Sequence, residues 1–406
     1  MKSRESGIGS EESDRREAGS GTRAKPGTDT AEAASTSRLP VRGRKRFTPC
    51  AGISPMTWAV VGCGAVALLR LHECLQIPVE TGDVVRNLLY GVLANEHGFS
   101  AATKPLLAFS PDWSQVSWAR FPFSYPPVAL AFFALVAAIS PTVFCAKILL
   151  TLLEAANAVA IGRLSGSRLL GILYWASPMS IWWVSREGQF EPLQSFLMLM
   201  SLLAVARFPF VCGLALALAI FSKITAVLLL PLIVILVVRT HSASWKWASL
   251  GFVVGTIPAL ISELTYQGVS NVLRFGALLV YNPYYWNPFA DMFAWNPPWL
   301  IAVDQIATYG MLAALAIYAW RSGAFVYALA PIAFIVLCKT HTNVQFWYFL
   351  LLPAFLVTIP HAKWRAFLIA VCPLLDIRST LELIAGPLGQ FGYHGLPGVL
   401  DAYRIY

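Results

Sequence analysis

The sequence predicts an all-α fold: a polytopic transmembrane helix bundle of about ten or eleven spans, with a non-spanning interfacial helix in the first outer loop. Three observations carry that expectation. Hydrophobic residues make up 57% of the 406 positions and charged residues only 13%, where soluble domains carry about 25%. Mean hydropathy is +0.62, and apolar runs near membrane length alternate with polar turns. Lys and Arg gather at alternate turns, the asymmetry that orients membrane helices. The net charge of +9 is therefore not a nucleic-acid footprint, because eleven Lys or Arg fall in the first 46 residues and most others end apolar runs. Cys50, Cys63, Cys74, Cys145, Cys212, Cys338 and Cys372 lie singly, without CxxC spacing, and read as small core hydrophobes rather than a disulfide framework or a metal site.

Residues 1–46 are rich in Ser, Gly, Thr and charge, a composition that cannot bury a core, so they are expected to be a disordered, basic, cytoplasmic tail. The helical domain is expected over 47–406. Its first helix, 53–75, exits outward, and the polar interval 76–124 is extracytoplasmic by parity. A loop this long is more often functional than a connector. The apolar run 125–139 holds only about 13 residues between Pro126-Pro127 and Ser140-Pro141, too few for a span of roughly 20, and is assigned to the outer interface. The first outer loop thus covers about 76–140. With that choice 142–161 runs inward to Arg163 and Arg168, 169–184 outward, 193–206 inward to Arg207, 210–221 outward, and 224–238 inward to Arg239 and Lys246. The run 247–264 leads out to a second, aromatic and proline-rich loop at about 265–299, and 300–320, 324–338 and 346–359 follow. A short last run, 366–375, leaves the side of the C-terminus open.

Every unusual polar cluster then falls on one side. The segment Ser177-Pro-Met-Ser-Ile-Trp-Trp-Val-Ser-Arg-Glu-Gly-Gln-Phe-Glu-Pro-Leu193 sets Arg186, Glu187, Gln189 and Glu191 between two apolar runs, with Gly188 free to turn the backbone. Asp83, Arg86, Asn87 and Tyr90 recur at helical spacing and share one face, which makes Asp83 a candidate base. Lys223 and Lys339, with His341 and Gln345 beside the latter, break the positive-inside trend, and a bound anion such as a phosphate is the simplest reason. The plainer readings are a solvated helix-helix turn for the first cluster, an amphipathic loop helix for Asp83, and snorkelling lysines. His97 reads as solvated. Walker, HExxH and GxSxG motifs are absent, which leaves a nucleotide motor or a motif-bearing hydrolase unsupported.

Four pieces together resemble the GT-C superfamily of polytopic glycosyltransferases: GDVVRNLLY after the first span; SYPPVALAFFAL from Ser124; SPMSIWWVSREGQFEPL, where Ser177 replaces the usual Asn or His and Glu191 stands where Asp is common; and the pair FSKITAVLLLP and KTHTNVQFWYFLLLP. The resemblance covers about 56–360. It implies an extracytoplasmic hexosyltransferase, mannosyltransferase-like, that takes sugar from a polyprenyl- or dolichyl-phosphate carrier. The sugar goes to a glycan, lipid or protein hydroxyl. In that scheme Asp83 is the general base and Glu191 with Glu187 supports it. Lys223, Lys339 and His341 hold the donor phosphate, with Arg86, Tyr90, Tyr125, Arg186, Gln189 and Gln345 as further substrate-binding candidates. Position 81 is Thr and position 85 is Val, so the Asp-x-Asp of one branch is missing and no cofactor or metal is expected. The absence of an Asn-x-Ser/Thr sequon leans toward a bacterial plasma membrane over the endoplasmic reticulum. Two other classes remain open. A transporter or lipid flippase would use charges inside spans, of which Glu154, seven residues after Lys147, is the clearest. A non-catalytic subunit would explain Ser177 as decay.

Overall fold

The computed structural model describes residues 55–78, 82–116, 118–240, 244–278, 298–340 and 346–385. The expected tail, 1–46, lies outside them, as do His341 and Gln345. Among the described residues every regular element is helical and there is no strand, the expected class. Helix α1 (Pro55–Leu75) leads to α2 (Asp83–His97), three short 3₁₀ turns and α3 (Pro127–Ile139). Then come α4 (Val143–Ser165), α5 (Arg168–Trp175), the single turn α6 (Pro178–Ser180), a π-helical segment (Ile181–Arg186) and α7 (Glu191–Ala204). The second half holds α8 (Pro209–Ile220), α9 (Leu230–Thr240), α10 (Ser244–Tyr266), α11 (Gly268–Leu278), α12 (Pro298–Ser322), α13 (Phe325–Thr340), α14 (Leu352–Leu356), α15 (Ala362–Val371) and α16 (Ile377–Ala385).

Helices α4 and α10, each 23 residues, are long and apolar enough to cross a membrane, whereas α3, α7, α8 and α13 are apolar but shorter. The run 125–139, read as too short to span, is the 13-residue α3. Proline accounts for the chief departures from expectation. The run 169–184, expected as one helix, stops at Trp175, because Pro178 lacks an amide donor and drives the residue before it away from helical geometry. Ser177 is accordingly extended, at φ −62° and ψ 123°. The run 224–238 begins as a 3₁₀ turn (Ile224–Leu229) just ahead of Pro231, and 346–359 splits at Pro353 into a 3₁₀ turn and α14. The second outer loop contains α11, and its remainder at 279–297 lies outside the described residues.

Two packing contacts set the frame. α2 lies on α3, and α8 lies on α10. At the second contact the backbones meet directly: a Cβ on Gly213 would strike Ala248 O, and one on Gly251 would strike Phe210 O. Gly251 and Gly255 are four apart on one face of α10, the small-residue spacing that lets membrane helices approach closely. The outward face of α10 is apolar, with Trp247, Val253, Leu260 and Leu264 exposed. Gly251→Leu is expected to lower stability by about 1–3 kcal/mol through overpacking, read as a fall in thermal midpoint in detergent. Gly62→Leu, where nothing lies within 4 Å of the added carbon, is the neutral control.

Candidate functional site

Asp83 opens α2 directly after Gly82, whose left-handed backbone (φ 57°) turns the chain into the helix. The face predicted from its spacing is buried: Asp83, Arg86, Asn87 and Tyr90 are all nearly inaccessible. Two of them hold the first loop. The Tyr90 hydroxyl donates to Lys104 O at 2.9 Å and Phe121 O at 2.8 Å. Arg86 donates to Pro122 O at 2.7 Å and to Ser124 Oγ at 3.2 and 3.3 Å. The Tyr90 hydroxyl, expected to bind substrate, is engaged by these carbonyls.

The turn between the π segment and α7 brings the second carboxylate. Gly188 adopts φ +74°, a left-handed conformation open to glycine, and a Cβ there would lie 2.8 Å from Val84 Cγ2. The turn therefore packs straight against the start of α2. Gln189, whose amide is fixed to Trp183 O at 2.8 Å, hydrogen-bonds the Asp83 carboxylate through its side chain. Glu191 begins α7, wholly buried, and accepts a hydrogen bond from Lys223 through Oε1; its Oε2 has no partner. Lys223 sits in the extended break after α8 (φ −159°, ψ 129°). Its ammonium lies over the rings of Tyr348 at 3.7 Å, Phe190 at 5.0 Å and Tyr125 at 5.6 Å. Aromatic faces stabilise a cation that has left water. The Tyr125 phenol stands within electrostatic reach of Asp83, Lys223, Tyr348 and Arg86, and burial pushes it well up, so it remains a donor. Lys339 lies over Phe349 at 5.2 Å, and the neighbouring Cys338 is within reach of both ammonium groups. Burial raises the Asp83 carboxyl above its ordinary value, opposed in turn by Arg86, the Gln189 hydrogen bond and Lys223.

Of the residues singled out in the sequence, the structure thus gathers Asp83, Arg86, Tyr125, Gln189, Glu191 and Lys223, with Lys339 beside them. Two it sends elsewhere. Arg186 pairs with Glu73 at 3.0 Å and covers the Trp182 ring, and Glu187 lies within reach of Lys147. The grouping of both with Asp83 is therefore revised. Lys147 and Glu154 do not pair either: two helical turns separate them on α4. Lys147 donates to Glu73 O and Gln76 O, while Glu154 accepts from Ser180, Tyr174 and Asn157. Sequence reasoning gave no role to Phe190, which stands between Gln189 and Glu191, or to Tyr348, an aromatic within an apolar run. It also missed Arg70, whose position inside the first apolar run, ahead of its end at Leu75, was the available signal. Among the described residues, no three His, Cys, Asp or Glu side chains gather as a metal group.

The Glu191–Lys223 pair has little access to water, so removing one partner strands the other charge at a cost of about 3–5 kcal/mol. Lys223→Met is expected to show that loss in thermal unfolding, and Lys223→Met with Glu191→Leu to recover more than half of it. No family model matches the chain, and no curated protein or solved structure matches it.

Proposed function

We propose that the chain is a multi-pass membrane glycosyltransferase of GT-C type, moving a hexose from a polyprenyl-phosphate carrier to a hydroxyl acceptor on the extracytoplasmic face. The observation that carries this reading is the convergence of Asp83 and Lys223 from separate elements onto Tyr125, with Glu191 of a third paired to Lys223. The cations Arg86 and Lys223 meet the carboxylates of Asp83 and Glu191 there, with Lys339 close by. Positive charge held away from water favours an anionic ligand, and a phosphate monoester or diester supplies it. The exposed apolar side chains of α4 and α10, such as Leu152, Val159, Val253 and Leu260, support lipid contact around the bundle.

In this mechanism the acceptor hydroxyl gives its proton to Asp83 as its oxygen attacks the anomeric carbon. The bond from that carbon to the carrier phosphate breaks, and the phosphate leaves with the electron pair. Lys223, Lys339 and the Tyr125 hydroxyl donate to the departing oxygens. Lys223 spends one N–H on Glu191 and keeps two for the ligand. The unpartnered Oε2 of Glu191 accepts from the acceptor and orients it. Attack opposite the leaving group inverts the anomeric centre. Burial of Asp83 suits a base, since a carboxyl raised toward neutrality takes a proton more readily.

The second reading, a transporter, draws on the fully buried Arg70, Lys147 and Glu154. Those groups are hydrogen-bonded to backbone and hydroxyls, which favours a structural network over a path.

Transfer of labelled sugar from polyprenyl-phosphate-mannose in membranes separates these readings. Asp83→Asn is expected to lower kcat by about 10²-fold or more, the range of a lost general base, with donor binding retained. Lys223→Met is expected to raise the donor KM. The rate should fall with acidity as Asp83 gains a proton, with its midpoint above about 3.9, the ordinary aspartate value. Full transfer by Asp83→Asn would sink the site, and vesicle uptake without transfer would favour the transporter.

A further inference from the structure

The turn that delivers Gln189 and Glu191 is held from both sides by one buried network that touches neither residue. Its centre is Arg70 on α1, which has no exposed surface. Its Nε and Nη2 donate to Trp175 O at 3.1 and 2.7 Å, closing the end of α5, and the guanidinium lies 4.1 Å from the Trp175 ring centroid. Nη2 also donates to Ser180 Oγ at 2.8 Å, while Nη1 reaches Ser180 O at 3.4 Å and Ser185 Oγ at 3.0 Å. A single planar fork thus grips the chain before the break, within α6 and near the end of the π segment. Lysine, with one nitrogen, could not.

Ser180 passes the network on. Its hydroxyl accepts from Arg70 and donates to Glu154 on α4. Glu154 also accepts from Tyr174 at 2.8 Å and from Asn157 at 3.1 Å, and Asn157 donates to Pro192 O at 3.1 Å, one residue beyond Glu191. The entrance of the turn hangs on Arg70 and its exit on Asn157, with Ser180 and Glu154 between them. The π segment needs such support. Wide turns are rare and persist where a structure has a use for them. Here the i→i−5 bond from Glu187 N to Trp182 O (3.0 Å) sets where the following residues point.

We propose that Arg70, Ser180 and Glu154 are positioning residues that fix the π turn and, through it, the hydrogen bond from Gln189 to Asp83. None of them reaches Asp83. The groups that face that carboxylate are Arg86 on its own helix, Gln189 and Glu191 from the turn and α7, Lys223 from the break after α8, Tyr125 ahead of α3, and Tyr348. Ser180→Ala alters none of these side chains. It deletes one oxygen and severs the link between Arg70 and Glu154.

The test reads Asp83 directly. Isotope-edited infrared titration of the full chain in nanodiscs follows the protonated-carboxyl band that is lost in Asp83→Asn. Ser180→Ala is expected to raise its midpoint by about one pH unit, because a carboxylate that loses a donor holds its proton more tightly. Gln189→Leu should give the same rise, and the double variant no more than either alone. Glu154→Gln, which leaves the fork of Arg70 on Trp175 O intact, should move the midpoint in the same direction and covers the case in which Ser180→Ala does not fold. An unmoved midpoint in the folded variant overturns the proposal, and so does a double variant whose rise is the sum of the two. A general loss of stability would not move the band at all. The proposal concerns the placement of Asp83 and not the reaction, so absence of sugar transfer by the wild type would defeat the transferase reading and leave this titration decisive.

Discussion

Ions held in a bundle of apolar helices must replace the water they have left, at several kcal/mol each if they fail. That constraint bears on three irregular stretches among the described residues. The breaks at Trp175, at Lys223 and at the π segment each expose carbonyls or redirect a side chain where a charge needs a partner. Trp175 O serves Arg70, and the Lys223 carbonyl accepts from Gln194. Proline opens the first and the aromatic cage closes the second. Asp83, Glu191 and Lys223 all stand at such ends, whereas Arg70 and Glu154 lie inside α1 and α4.

The charges sort into two groups with different characters. Around Arg70 and Glu154 the hydrogen bonds join α1, α4, α5, α6 and the π segment, with Asn157 Oδ1 left without a partner. A network connected in this way confers rigidity and specifies one arrangement. Around Asp83 and Glu191 the bonds are fewer, and Glu191 Oε2 has no partner. The first group ties five elements together, and the second joins the start of α2, the start of α7 and the break after α8.

Much of this was legible in the residues. Hydropathy placed α1, α3, α4, α7, α8, α10, α12 and α13 close to their observed ends, and the short run before Ser140 was read as too short to span. The spacing of Asp83, Arg86 and Tyr90 gave the shared buried face. What failed did so for identifiable reasons. Apolarity carried the reading of 169–184 through Pro178, although the proline was in view. Arg186 and Glu187 were grouped with Glu191 because they share one short polar stretch between apolar runs, whereas Arg186 pairs with Glu73 and Glu187 lies within reach of Lys147. Tyr90 was given a ligand because its phase was visible and its hydrogen-bond partners, 14 and 31 residues away, were not. Tyr348 looks like any aromatic in an apolar run and Phe190 like a spacer between Gln189 and Glu191, and only the fold reveals that they surround an ammonium.

The direct meeting of α8 and α10 at Gly213 and Gly251 has a mechanical consequence. Backbones in contact cannot slide by a fraction of a turn without collision, so the two helices behave as one stiff strut. Lys223 stands just past the end of that strut. It is the fixed jaw of the cluster. The opposite wall is braced in the same way, since a Cβ on Gly91 of α2 would strike Phe133 O of α3, so neither side of the cluster can shift by a fraction of a turn without collision.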